Sequence, residues 1–293
     1  MITVGAAIKD GTSALRNTSL SPRLDSELLL CMVLEIDRLA IVSRPDAILS
    51  QEQNKRFLNY IDRRKASEPI AYITGKQEFW GLEFEVTPDV LIPRPETEHI
   101  VEQVLEFMEG VDTDRSISIL ELGTGSGCLA ISIATELLKV ARPFSIVAVD
   151  NCEAALQIAR RNAHIHGTTE EINFLRSNWF ESVPEEKFSI VISNPPYVDP
   201  VSTDVSAEIY FEPAKAIFSE ENGLQDIRQI LNDVPTYLQP DAKLFLECGS
   251  DQAEQIFRII RELYGDRVEI RFHRDLAGHQ RVVECSFSSA SLG

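Results

Sequence analysis

Apolar positions change their period twice along the chain, and each change marks a different kind of structure. Over residues 3–65 they recur at helical spacing. Ser21-Pro22-Arg23-Leu24-Asp25-Ser26-Glu27-Leu28-Leu29-Leu30 offers a capping serine, a proline at the first helical position and an apolar face beyond. Ser50 is placed to cap a second clear helix, which carries Phe57, Leu58 and Ile61 on one side. Glu68-Pro69 breaks that pattern. Between Ile70 and Pro93 the period shortens, and Glu78-Phe79-Trp80-Gly81-Leu82-Glu83-Phe84-Glu85-Val86 reads as two short strands about a glycine turn. Pro95 opens a helix running to about Met108, with acidic residues in its first turn, where they suit the helix dipole. From Ile117 onward short apolar runs alternate with amphipathic stretches. Strands are predicted at 117–122, 144–149, 171–176, 188–193, 242–248, 267–273 and 281–287. Helices are predicted at 127–140, 152–165, 223–238 and 251–264. This alternation predicts an α/β fold with a mostly parallel, doubly wound sheet. The last two strands are joined too closely for a parallel crossover and are expected to form an antiparallel hairpin. The pattern thus divides the chain into a helical bundle over 1–68, a linker with a β-hairpin over 69–93 and an α/β domain over 94–293.

Composition narrows the class. The chain has 293 residues, 44% hydrophobic and 25% charged, as in ordinary soluble proteins. No stretch has the apolar length of a membrane span, and Met1 to Asp10 lack the pattern of a signal peptide. Five scattered cysteines without a Cys-x-x-Cys pair indicate neither a disulfide framework nor a zinc site, so a reducing, cytoplasmic compartment and no metal are expected. The net charge of −18 is uneven. Residues 1–75 hold ten Lys/Arg against nine Asp/Glu, while residues 76–293 carry a net −19. A surface of that sign is a poor partner for a polyanion, so direct nucleic-acid binding is not expected. Lys55, Arg56, Arg63, Arg64 and Lys65 lie along one predicted helix and read as a solvated face.

Chemistry is suggested where predicted strands end. After 188–193 come Asn194-Pro195-Pro196-Tyr197; two successive prolines cannot continue a strand, so the chain leaves as a stiff loop. The loop presents a side-chain amide, two acceptor carbonyls and an aromatic ring at the carboxyl end of a strand, where open α/β sheets bind ligands. Ile119-Leu120-Glu121-Leu122-Gly123-Thr124-Gly125-Ser126-Gly127 is a strand, a glycine-rich turn and a helix start. Its Gly-x-Gly-x-Gly spacing disfavours a dinucleotide site, and Glu121 suits a cationic amino group better than a pyrophosphate. Asp150, ending the next strand, can accept hydrogen bonds from ribose hydroxyls or cap the following helix. Ser177-Asn178-Trp179-Phe180 could flank an adenine, although a tryptophan is more often core.

Together these motifs resemble an S-adenosyl-L-methionine-dependent methyltransferase acting on a planar nitrogen. Within that class the chain resembles the HemK/PrmC family, the peptide chain release factor glutamine methyltransferases. The resemblance extends over Pro22 to Leu29, Glu68-Pro69-Ile70-Ala71-Tyr72-Ile73-Thr74-Gly75, Leu91-Ile92-Pro93-Arg94-Pro95-Glu96-Thr97-Glu98, the glycine loop, Asn-Pro-Pro-Tyr, Phe211-Glu212-Pro213 and Asp275-Leu276-Ala277-Gly278. It implies a Rossmann-like class I methyltransferase domain behind a helical substrate-docking domain. It implies that Gly123, Thr124, Gly125, Ser126 and Gly127 hold the methionine and ribose part of S-adenosyl-L-methionine. Glu121 would take its amino group, directly or through water, Asp150 the ribose hydroxyls, and Trp179 the adenine surroundings, with Asn194 next to the cofactor. The implied substrate is the glutamine of the Gly-Gly-Gln motif of class 1 release factors. Asn194 and Pro195 would bind its amide, Pro196 and Tyr197 would pack around it, and Leu91 and Arg94 would wall the pocket. A cytoplasmic monomer is expected. An adenine-N6 nucleic-acid methyltransferase shares the conjugated NH2 target and is the main alternative; a binding module without turnover is the other.

Overall fold

The computed structural model describes residues 1–112, 115–203 and 205–288. The chain forms two compact units. One is Met1–Lys76 together with Ser206–Phe211, and the other is the rest of the described chain.

The first unit is helical, with α1 (Val4–Leu15), α2 (Pro22–Leu34), α3 (Arg38–Ser43), α4 (Gln51–Lys65) and α5 (Ile70–Thr74). Thr3 caps α1 by accepting from Ala6 N, and Ser50 and Gln53 close a reciprocal capping box on α4. Val4, Leu15, Leu29, Leu30, Phe57 and Ile61 form its core. A side chain at Gly11 would meet Ser26 Oγ at 2.4 Å, so glycine there is what lets α1 and α2 approach. Three expectations are corrected. Ser21 stands at the N-cap of α2, but its side chain makes no capping bond; the hydroxyl donates to Asp25 Oδ1. Glu68-Pro69 does break the helical pattern, since α4 ends at Lys65, but the period does not shorten at Ile70, because Ile70–Thr74 form a further helical turn, α5. Arg64 is not on a solvated face. It is only 4% exposed, and its guanidinium donates to Asp25 Oδ2 (2.7 Å), Glu68 O (3.0 Å) and Glu208 Oε1 (2.6 Å). A buried cation needs such partners to offset the loss of water.

The second unit begins with the hairpin β1 (Lys76–Phe79) and β2 (Leu82–Glu85). Phe79 and Phe84 are buried with the apolar face of α6 (Glu98–Glu109). Pro95–Thr97 form a 3-10 turn ahead of α6. Then follow β3 (Ile117–Leu122), α7 (Cys128–Lys139), β4 (Phe144–Asp150), α8 (Glu153–Ile165), β5 (Ile172–Arg176) and β6 (Phe188–Ser193). The expected helix over 223–238 is broken into α9 (Glu220–Gly223), α10 (Gln225–Asp233) and a 3-10 turn, Val234–Tyr237. The causes are local. Glu221 and Asn222 have left-handed backbones, and Pro235 has no N–H for an α-helical bond. The chain closes with β7 (Leu238–Glu247), α11 (Ala253–Tyr264), β8 (Val268–Arg274) and β9 (Gln280–Phe287).

The seven-stranded sheet has the order β5-β4-β3-β6-β7-β9-β8. β5, β4, β3, β6 and β7 are mutually parallel, while β9 runs antiparallel to both β7 and β8. Alternate side chains of the central strands go to opposite faces. Leu120, Leu122, Val147, Val149 and Val191 pack with α10 and α11. Ile117, Ile119, Ile146, Ala148, Ile190 and Ile192 pack with α6 and α7. From β3 the winding goes one way through β4 and β5 and the other way through β6 and β7. The switch point therefore lies between β3 and β6, and ligands of such sheets bind at the carboxyl ends there.

Candidate active site

The register puts the two sequence motifs side by side. Leu122, the last residue of β3, pairs with Ser193, the last of β6, and with Val149 of β4. Ser193 Oγ donates to Leu122 O at 2.8 Å. The glycine loop, Asp150 and Asn-Pro-Pro-Tyr thus leave three neighbouring strands at one edge. They border a cleft of about 510 Å³ whose walls include Glu121, Gly123, Thr124, Gly125, Ser126 and Asp150. Leu91, Trp179, Asn194 and Pro196 complete the predicted part of the lining.

Gly123, Gly125 and Gly127 all have positive φ, the conformation that requires this residue type. At Gly127 an added Cβ would also meet Ile131 Cδ1 at 2.8 Å, so this glycine seats α7 and is not part of the cleft wall. A Cβ on Gly123 would lie 3.7 Å from the Trp179 ring. The ring therefore stands over the loop, with its Nε1 donating to Asp226 Oδ1 at 3.2 Å. Asp150 is bonded to the backbone on both sides. Oδ2 accepts from Gly125 N and Oδ1 from Cys152 N, each at 2.9 Å, so it ties the glycine loop to the start of α8. A carboxylate has about four acceptor positions, which leaves room for two ligand hydroxyls. Burial raises its pKa while the backbone N–H groups oppose the rise.

Glu121 is 1% exposed, and Thr124 Oγ1 donates to its Oε2 at 2.7 Å. Burial pushes its pKa up to about 8, against the hydrogen bonds that lower it. A buried carboxyl kept as the neutral acid becomes a carboxylate when a cation arrives. A primary ammonium fits this position, a diol fits Asp150 and a thin ligand fits the loop, so the residues present suit S-adenosyl-L-methionine.

Asn194 Nδ2 donates to Thr97 Oγ1 at 3.0 Å, which leaves Oδ1 as the acceptor available to a ligand. Pro195 is buried behind the lining. Tyr197 and Arg94 are not brought to the cleft wall. The Tyr197 hydroxyl donates to Glu247 Oε1 at 3.0 Å, turned toward the core, and Arg94 is paired with Glu212. Glu212 also accepts from Ile92 N at 3.0 Å and so pins the segment after Leu91. Thr97, Asp226 and Glu247 received no role in the sequence reading. Glu247 had a legible signal: it is an acid ending an apolar strand, as Asp150 does.

A parallel sheet with an antiparallel last hairpin, a glycine loop after β3 and an acid after β4 define an S-adenosyl-L-methionine-dependent methyltransferase of class I. Residues 104–246 match the methyltransferase small domain and residues 6–75 the PrmC N-terminal domain. The chain is 40% identical to a release factor glutamine methyltransferase of Coxiella burnetii, over 97% of this chain and 98% of that protein. It is 38% identical to one from Pseudomonas aeruginosa, over 96% and 98%. Among solved structures, the Thermus thermophilus 16S rRNA N2 G1207 methyltransferase shares the fold, with a TM-score of 0.51 at 18% identity over 72% of this chain and 49% of that one. The chain belongs to the release factor glutamine methyltransferase family.

Proposed function

We propose that this protein transfers a methyl group from S-adenosyl-L-methionine to the side-chain N5 of the glutamine in the Gly-Gly-Gln motif of class 1 peptide chain release factors. It does so as a monomer in the cytoplasm, without binding nucleic acid directly. The observation that carries the reading is the state of Asn194: it lines the cleft together with the glycine loop, and its NH2 end is tied to Thr97, which leaves the side-chain oxygen as its acceptor for a substrate N–H.

A glutamine amide nitrogen is a weak nucleophile because its lone pair is delocalised, and it offers two N–H donors. Asn194 Oδ1 and the Pro195 carbonyl each accept one of them. This orients the NH2 group and stabilises the positive charge that grows on nitrogen. Pro195 and Pro196 are suited to the task because their fixed φ keeps the carbonyls from swinging away. When bound, S-adenosyl-L-methionine supplies a methyl group already activated on a sulfonium. Glu121, Gly123, Thr124, Gly125, Ser126 and Asp150 would hold it, with Trp179 beside the adenine. Alignment supplies much of the catalysis, and the amide proton leaves after transfer, so no general-base carboxylate is needed. Leu91 walls the substrate side, and Arg94 acts there through Glu212.

Asn194→Ala tests the assignment. Transfer to an unmodified release factor should fall by at least about 10²-fold, as when a transition-state acceptor or donor is deleted. Circular dichroism and cofactor binding should be essentially unchanged. Retained turnover in this variant would refute the role of Asn194.

A further inference from the structure

Trp179 stands in a backbone conformation that its side chain disfavours. Its φ is +48°, in the left-handed region, where a bulky residue is rare. Such a conformation persists only where the surroundings over-determine it, and it gathers at ligand clamps. Ser177 Oγ donates to Trp179 O at 2.8 Å and accepts from Ser182 N at 2.9 Å. Glu181 N closes the same turn on Asn178 O at 3.1 Å. These bonds fix the main chain but leave the direction of the ring open.

Asp226 closes that freedom. The indole Nε1, which can only donate, reaches Asp226 Oδ1 at 3.2 Å from a residue 47 positions away. Asp226 is itself anchored: it lies in the first turn of α10, and its N donates to Ser219 Oγ at 3.1 Å. Ser219 N donates in turn to Val198 O at 2.9 Å, beside Tyr197. Trp179 and Asp226 are both half-buried and both line the cleft, and a Cβ on Gly123 would lie 3.7 Å from the ring. An indole turned to solvent would satisfy its N–H with water, so the fold does not require this bond. What the bond selects is a ring held over the glycine loop.

Resting on the proposed place of Trp179 beside the adenine, we infer that Asp226 is a positioning residue for cofactor binding: it holds the Trp179 indole in its ligand-ready direction before S-adenosyl-L-methionine arrives. Asp226 acts through the ring and need not touch the ligand. Its contribution is preorganisation, because a ring already immobilised loses no rotamer freedom when the cofactor binds. The substrate amide is held elsewhere, by Asn194 and Pro195. Releasing Trp179 therefore weakens cofactor affinity and leaves the aligned transfer step nearly as it was.

The test compares wild type, Asp226→Ala, Asp226→Asn, Trp179→Phe and the double variant Trp179→Phe/Asp226→Ala. In Asp226→Ala the calorimetric Kd and the KM for S-adenosyl-L-methionine should both rise about 10-fold, with kcat on an unmodified release factor within about twofold, the pattern of lost binding without lost alignment. Asp226→Asn keeps an acceptor oxygen and should restore most of the affinity. Trp179→Phe keeps a ring but has no N–H for Asp226, so it should weaken binding too, and adding Asp226→Ala to it should change Kd by less than about twofold. The protein has only two tryptophans, Trp80 and Trp179, so the Trp179 indole N–H resonance in ¹⁵N-labelled protein is the one missing from Trp179→Phe. Without ligand or turnover, it should move in Asp226→Ala and return in Asp226→Asn. An unchanged Kd in Asp226→Ala, or an equal loss whether or not Trp179 is present, would overturn the inference. So would a lowered kcat at unchanged Kd, the mark of a merely structural role. An unchanged Kd in Trp179→Phe would overturn it even if Asp226→Ala were too unstable to assay. Trp179→Ala binding the cofactor as tightly as wild type would instead overturn the placement of Trp179 beside the adenine, on which the inference rests.

Discussion

Glu121 shows how one buried side chain links the cofactor site to pH. Its pKa is raised from about 4.5 to about 8, chiefly by burial. A group raised in the folded state contributes stability below its unfolded pKa and loses it as pH rises through the folded value. Without ligand, the protein should therefore lose this contribution progressively between about pH 4.5 and pH 8. A bound ammonium reverses the preference and drives Glu121 to its carboxylate. Calorimetric titration with S-adenosyl-L-methionine at pH 7, in buffers of different ionisation heat, should register release of close to one proton, and none in Glu121→Gln. Release that is absent in wild type or unchanged in the variant would contradict this account. The acids at Glu121 and Asp150 were legible because each lies at or next to the carboxyl end of an apolar strand, where open α/β sheets bind ligands. The partners of Thr97 and Glu247 were not, because hydrogen bonds between residues 97 and 194, and 197 and 247, arise only once the sheet has formed. Nor could the chain reveal that Arg64 is buried; its partner Asp25 is 39 positions away.

Among elements, the strands read from sequence agree best with the structure where both faces are buried. β6 is found at 188–193 as expected, because every one of its residues is buried and nothing competes with its apolar pattern. The helix expected over 223–238 begins only at Gln225, where α10 starts, because Gly223 and the segment just before it brace the Asn-Pro-Pro-Tyr loop. Val198 N donates to Ile217 O and Ser219 N to Val198 O, both at 2.9 Å. Gln252 Nε2 donates to Tyr197 O at 2.9 Å. Gly223, at φ +80°, lies so close that a Cβ would come within 2.0 Å of that same carbonyl. Gly223→Ala should therefore cost about 1–3 kcal/mol from backbone strain alone. It should also displace the loop, lowering kcat more than it changes cofactor affinity. Denaturant unfolding and steady-state kinetics check both parts; a variant as stable and as active as wild type would show that the loop is held by something else.

On the scale of the whole molecule, the helical unit and the sheet unit carry different charge. The near-neutral balance of residues 1–75 contrasts with the net −19 of residues 76–293. No helix of the described residues is long and apolar enough to cross a membrane. The acidic balance opposes a nucleic-acid substrate, since non-specific affinity for a polyanion comes from clustered Lys and Arg. A protein loop carrying glutamine brings the same planar NH2 without that charge. The site geometry alone does not separate the two targets, because Asn194 and Pro195 would present the same two acceptors to adenine N6. Family membership and charge separate them, and a direct measurement is simple. Labelled S-adenosyl-L-methionine is offered with an unmodified class 1 release factor, with the same factor carrying alanine for the glutamine of Gly-Gly-Gln, and with adenine-containing DNA and RNA. The account predicts label on the first substrate only. Label on the alanine variant or on nucleic acid, with none dependent on that glutamine, would contradict it.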